Sequence, residues 1–258
     1  MSKFIVLMYH SISSPLLKHE SGFVCEPKVF DEHMKLLKKK GYYFASINEV
    51  YQHLLNQKKL PENSVLISFD DGYMDNYINA FPILLKYKIP AVIFLVAGLI
   101  GKKNNWFSGK QWTTRELLTL DRINEMTQGE IDFECHSLNH KKLTSLDDNK
   151  QKEEIIESKK ILEDRLNKNI SYIAYPHGLY NQNTLDIVRD AGYLMGFSTH
   201  SGFNSENIDP FVIRRLEVNG LDSAKKLLYK VQFGMNDPTW NTKYKYYYKQ
   251  LIRRINGH

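Results

Sequence analysis

The stretch Ser64-Val-Leu-Ile-Ser-Phe-Asp-Asp-Gly72 decides the architecture. Its first six residues read as a short strand with an apolar core. The adjacent carboxylates Asp70 and Asp71 follow at the strand's end, with Gly72 opening a turn. The same plan recurs on either side. Residues 4–8 are an apolar run that predicts a buried strand, and 91–96, 130–135, 171–175, 193–198 and 212–215 predict others. Helices are expected between them. One starts at Pro27, runs to Lys40 with Phe30, Met34 and Leu37 on one face, and ends at Gly41. Ser46-Ile-Asn-Glu49 is a capping box for a helix over 47–56. Further helices are expected through 83–86, from a Thr114 cap to about Met126, from Asp147 to about Asn167, from Asn181 to Ala191, and over 223–231.

Strands that alternate with helices imply a parallel sheet. Seven or eight of them in one unit of 258 residues predict a closed or nearly closed β/α barrel. An open doubly wound sheet is the alternative. Against it, His10-Ser-Ile follows the first strand where a Gly-rich phosphate turn would stand. One domain over 1–258 is expected, with 232–258 a basic Tyr- and Lys-rich extension.

Hydrophobic residues make up 42% and charged residues 25% of the chain, which excludes global disorder and low-complexity polymers. The net charge of +6 is spread along the sequence and comes with no nucleic-acid motif, so no nucleic-acid partner is expected. Two cysteines, Cys25 and Cys135, make no disulfide framework. No apolar run approaches the ~18 residues of a membrane span. Residues 1–10 lack the h-region of a signal peptide, so a cytoplasmic location is expected.

In a β/α barrel the chemistry gathers at the C-terminal ends of the strands. His10, Asp70-Asp71-Gly72, His136-Ser-Leu-Asn-His140 and Tyr175-Pro176-His177-Gly178 all fall at such ends. An Asp-Asp pair suits a division of labour, one carboxylate on a metal and the other a base; a simple turn is the plainer reading. His136 and His140 have the i, i+4 spacing of two metal ligands. With Asp71 they make a two-imidazole, one-carboxylate set that leaves positions open, as a catalytic Zn²⁺ or a similar divalent ion requires. The Tyr-Pro-His-Gly turn needs only backbone reasons, but it could aim an N–H at an oxyanion.

SFDDG (68–72), HSLNH (136–140) and AYPHG (174–178), in that order, resemble the motifs of the NodB-like polysaccharide deacetylases, a carbohydrate esterase family. The likeness extends over residues 4–216. LMYHSI (7–12) and the YPxG form of the third motif are similar to the subgroup of poly-N-acetylglucosamine deacetylases. The resemblance implies a distorted β/α barrel and metal-dependent removal of an N-acetyl group from a sugar. It implies Asp70 as base and Asp71, His136 and His140 as ligands of one divalent ion, Zn²⁺ first and Co²⁺, Ni²⁺ or Mn²⁺ as alternatives. Tyr175, Pro176 and His177 would form the substrate and oxyanion turn. Two features depart from the family. The third motif begins with Ala174 where many members have an Arg that orients the base. No late Leu-x-His acid follows Val212; the resemblance to the subgroup with an early Tyr-His, in which that His takes the acid's place, implies His10 as the acid.

Trp106 and Trp112 flank a polar loop and are read as loop anchors, with sugar stacking as the alternative. Strand alternation turns Cys135 away from its neighbour His136, as a buried inert thiol. The 243–254 segment interleaves Lys, Arg and Tyr; it is read as a solvated amphipathic helix, with peripheral membrane contact as the alternative. Rival functions are an amidohydrolase for a small nitrogen compound and a non-catalytic carbohydrate-binding relative. The sequence gives no oligomeric state.

Overall fold

The computed structural model describes residues 3–15, 17–106 and 113–238. Its strands are β1 Lys3–Tyr9, β2 Ser11–Ile12, β3 Val24–Cys25, β4 Tyr43–Phe44, β5 Ser64–Phe69, β6 Ala91–Leu95, β7 Ile131–Cys135, β8 Tyr172–Ala174, β9 Met195–Phe197, β10 Asn204–Ser205 and β11 Leu216–Glu217. Nine of them form one sheet in the order β10-β1-β5-β6-β7-β8-β9, with β11 beside β1 and β4 beside β5. All run parallel except β10. The sheet curls until its ends nearly meet. Ile213 bridges Phe197 of β9, and β11 then pairs with β1 at Leu7 and Met8. This is the distorted barrel the motifs imply.

The helices are α1 Pro27–Lys39, α2 Ile47–Leu54, α3 Phe81–Tyr87, α4 Leu120–Thr127, α5 Asp148–Lys152, α6 Ser158–Leu166, α7 Gln182–Asp190 and α8 Ala224–Phe233. Pro27 starts α1, which buries Phe30, Met34 and Leu37. Each such side chain contributes about 1.5–3 kcal/mol of burial free energy. Ser46 and Glu49 form the expected capping box of α2. Asp147 caps α5, and a π turn, Glu153–Glu157, joins α5 to α6. A second π turn, Asn76–Ala80, precedes α3.

Period-two alternation sorts the strand residues into two cores. Ile5, Leu7, Ile67, Ile93, Phe133, Cys135 and Ile173 face the helices. Phe4, Val6, Leu66, Val92, Phe94, Tyr172, Ala174, Met195 and Phe197 fill the barrel, where Ile47, Val50 and Leu54 of α2 join them.

Two elements depart from the expectation. The helix expected from Thr114 begins at Leu120, capped by the Thr119 hydroxyl. Residues 115–118 instead bond across to 72–74 and 101–104, through Leu118 N–H to Gly72 O and Leu117 N–H to Lys102 O. The strand expected over 212–215 is displaced. Pro210–Val212 is a 3₁₀ turn that Asp209 caps, Ile213 makes one bridge, and the strand proper is β11. Trp112 and the 243–254 segment lie outside the described residues.

Candidate active site

The alternation that fills the barrel also aims the chemistry. Val6 and Leu66 point inward, so His10 and Asp70, each four residues on, stand over the barrel mouth. His136 follows β7 on the same face. These groups and Asp71, His140, Phe23, Trp106, His177, Gly178 and Thr199 line one cavity of about 120 Å³. A larger hollow of about 460 Å³ lies at the opposite strand ends, lined by residues such as Lys3, Lys40 and Glu62, and gathers no comparable set.

Asp70 and Asp71 are neighbours whose nearest partners differ, although His136 Nε2 lies 3.9 Å from Asp70 Oδ2 as well. Asp70 takes a bidentate pair from Arg215, at 2.6 Å and 2.8 Å. Both are buried, Arg215 fully. Burial raises the Asp70 pKa, but the Arg215 guanidinium, with His136 and His10, outweighs it and leaves the carboxyl below its usual range. Arg215 also donates from Nε to Ser198 O and lies 5.7 Å over the Phe94 ring, which packs at a tilt against Phe197.

Asp71 turns elsewhere because its φ is +74°. Its Oδ1 lies 3.4 Å from His136 Nε2 and 3.2 Å from His140 Nε2. The three ligand atoms are all within 4.8 Å of one another, and all three residues are buried. Asp71 Oδ1 makes no hydrogen bond among the described residues despite its burial. That is the state of a carboxylate set to meet a cation. His136 Nδ1 lies 2.8 Å from the Ala174 carbonyl, which fixes the N–H there and leaves Nε2 as the ligand atom. The donor set therefore fits a divalent metal.

His10 lines the same cavity, and its Nδ1 is buried with no hydrogen-bond partner among the described residues. Its loop is held from below. Asn76 Nδ2 donates to His10 O, Ile12 N–H donates to Asp75 Oδ1, and the Ser11 hydroxyl donates to Asp75 Oδ2.

His177 adopts a left-handed conformation, φ 59° and ψ 9°, and its ring lies 4.7 Å from that of His140. Gly178 follows because Thr199 leaves no room for a Cβ, which would sit 2.0 Å from its hydroxyl. Tyr175 points away from the cavity. Its hydroxyl donates to Phe211 O and its ring packs on Tyr180, in the outer core. Pro176 is buried and starts the turn. The turn thus brings its backbone and His177 to the cavity, not the Tyr175 ring. Trp106 forms the opposite wall, 4.3 Å from the His140 ring. Cys135 faces away, its thiol on Ser158, and its pKa is raised by burial.

Sequence reasoning missed Arg215, whose guanidinium pairs with both Asp70 oxygens. A signal existed. Ile213 and Arg215 are two apart, so a strand with Ile213 inward also turns Arg215 inward. It also missed the part-buried Arg115–Glu20 pair, 2.9 Å, which ties the 113–118 segment to the loop after His10.

A β/α barrel that sets a carboxylate–arginine pair beside an open Asp-His-His cluster has the arrangement of a hydrolase, with a donor set that could hold a divalent ion. The chain belongs to the polysaccharide deacetylase family, whose model matches residues 57–196. It is 30% identical over 219 residues to a poly-beta-1,6-N-acetyl-D-glucosamine N-deacetylase of Staphylococcus aureus, covering 81% of this chain and 71% of that one. Among solved structures it is similar to the Streptococcus pyogenes deacetylase PplD in complex with acetate, at 32% identity and a TM-score of 0.77, over 90% of this chain and 98% of that one. IcaB from Ammonifex degensii aligns with a TM-score of 0.78 at 25% identity, over the same shares.

Proposed function

We propose that this chain hydrolyses the N-acetyl group of an N-acetylated amino sugar, in a glycan of the poly-β-1,6-N-acetylglucosamine kind or a precursor of one. The observation that carries this is the convergence of Asp70–Arg215, Asp71-His136-His140 and His10 on one cavity. The S. aureus relative's name supports the substrate class.

Asp71, His136 and His140 would hold the ion, and two imidazoles with one carboxylate favour zinc. Bound there, it would polarise the acetamide carbonyl and lower the pKa of water. Asp70 accepts the proton of the attacking water. Arg215 holds both Asp70 oxygens, so the base is ionised and fixed in place. The His177 N–H, turned by the left-handed backbone, donates to the carbonyl oxygen as it gains charge. His10 gives a proton to the departing nitrogen, and acetate and a free amino sugar leave. The Trp106 face offers the sugar ring a stacking wall.

The test is incubation of the zinc-loaded chain with N-acetylated oligosaccharides, β-1,6-linked N-acetylglucosamine oligomers first. Mass spectrometry should show stepwise loss of acetyl groups with matching acetate release. A panel left intact by metal-loaded protein overturns the reading.

A further inference from the structure

The loop that carries His136 and His140 holds two non-glycine residues in left-handed conformations, Ser137 at φ 63° and His140 at φ 59°. Such a backbone is costly and persists only where its surroundings hold it. Two elements do so here, and they are complementary. On one side the N–H groups of Ala97 and Gly98 donate to the carbonyls of Ser137 and Leu138, at 3.0 Å and 2.9 Å. Gly98 is required for this approach, since a Cβ would lie 2.7 Å from Leu138 O. On the other side the loop's own N–H groups find Glu154. Leu138 N–H donates to the Glu154 carbonyl at 3.1 Å, and Asn139 N–H to its Oε2 at 2.8 Å. Asn139 Nδ2 donates to Oε1 at 2.9 Å.

Glu154 stands in the π turn Glu153–Glu157. At the end of Glu153–Glu157 the Ser158 N–H bonds to the Ile155 carbonyl, three residues back, in place of the Glu154 carbonyl that a regular α-helix would offer it. The Glu154 carbonyl is therefore available to Leu138. Its side chain is 3% exposed, in a place where a charged group is rare unless it is paired. Every bond it makes to the loop falls on Leu138 or Asn139, between the two histidines. Lys141, 3.8 Å away and exposed, is its counter-charge.

We infer that Glu154 is a positioning residue for the metal-binding loop: the π turn exists to present one carboxylate and one carbonyl to Leu138 and Asn139, which sets His136 and His140 on a common point with Asp71. The inference rests on the proposed metal site and names what holds its geometry.

The test is Zn²⁺ affinity of the full chain, measured by competition with a chromophoric chelator, with no substrate present. Glu154→Ala should bind Zn²⁺ about 10–100-fold more weakly than the parent, the usual cost of losing a group that orients metal ligands. Glu154→Gln keeps the volume and one acceptor, and should fold where the alanine variant does not. It loses one charge-assisted bond and should weaken binding about fivefold to tenfold. With Co²⁺ the visible spectrum of either variant should shift, as ligand geometry changes. A role confined to helix stability would lower the unfolding midpoint and leave affinity and spectrum unmoved. A folded variant of either kind that binds Zn²⁺ within twofold of the parent overturns the inference. If the parent binds no Zn²⁺, or His140→Ala binds it as well as the parent, the metal site itself is wrong and the inference falls with it.

Discussion

Replacing Arg215 with Met should separate the two carboxylates more sharply than any other change. Arg215 is fully buried and makes both its strong bonds to Asp70, at 2.6 Å and 2.8 Å. Methionine approximates its length but leaves the Asp70 carboxylate buried without its counter-charge. Breaking such a pair costs about 3–5 kcal/mol of stability. The effect on chemistry follows from the balance on Asp70. Burial is the largest influence and acts upward, and Arg215 is the largest influence opposing it. With Arg215 gone the Asp70 pKa rises, so the carboxyl takes up a proton at a higher pH than in the parent. A base works only when unprotonated, so the acid limb of the pH–rate profile should move to higher pH. Below the raised pKa the rate should fall, by at most the whole contribution of a general base, about 10²–10⁴. Arg215→Lys retains the charge without the fork and should fall between. The assay is acetate release against pH on protein of verified metal content, with denaturant unfolding in parallel. A folded, metal-loaded Arg215→Met enzyme with a rate within a few-fold of the parent and the same acid limb refutes the role given to Arg215.

Elemental analysis should find about one divalent ion per chain; Asp71→Ala and His136→Ala should each lose it, while Asp70→Asn keeps the metal and loses activity. Full metal in either of the first two removes those residues from the site. His10→Ala should retain fold and metal and lose about 10²–10⁴ in rate on an amide, but less on an activated aryl ester whose leaving group needs no proton. Equal losses on both substrates would leave His10 a positioning role and no more. His33 tests the scaffold: burial is the chief cause that lowers its pKa from 6.5, and the neutral ring donates from Nε2 to Asp222 O and accepts at Nδ1 from the Tyr9 hydroxyl. The unfolded chain binds the proton first on acidification, so this contribution is full above about pH 6.5 and is lost as pH falls towards the folded value. Unfolding free energy of His33→Gln should therefore change less between pH 7 and pH 5 than that of the parent, and parallel curves would contradict it.

Most of the barrel was legible because buried parallel strands are continuous apolar runs. Residues 64–69 and 91–95 needed nothing more. The four motif clusters were legible as strand ends, and the structure brings His10, Asp70, Asp71, His136, His140 and His177 to one cavity. Two kinds of information were hidden. The Thr114 cap lost to Thr119 because residues 115–118 gain partners from 72–74 and 101–104, distant in sequence. Tyr175 sits in the right motif, yet alternation turns its ring into the outer core, where its hydroxyl finds Phe211 O. Arg215 was hidden by its setting, as a polar residue at the end of a strand reading whose true pairing begins one residue later.

The site is built from conformations that its residues do not favour. Asp71, Ser137, His140 and His177 all have φ between 59° and 74°. A left-handed backbone costs a residue with a side chain roughly 1–2 kcal/mol. Four such positions around one cavity are not what local sequence preference would produce. Each is gripped by groups outside its own turn. Leu118 N–H takes Gly72 O beside Asp71, Glu154 and Gly98 clamp the loop of Ser137 and His140, and Thr199 closes on Gly178 beside His177. The geometric consequence is specific. Strand alternation would send Asp71 to the face opposite Asp70, and the positive φ brings it back towards His136 and His140. Adjacent carboxylates can then serve a guanidinium and two imidazoles at once. The strain is the means by which two neighbouring residues of the same type acquire different partners and, with them, different chemistry.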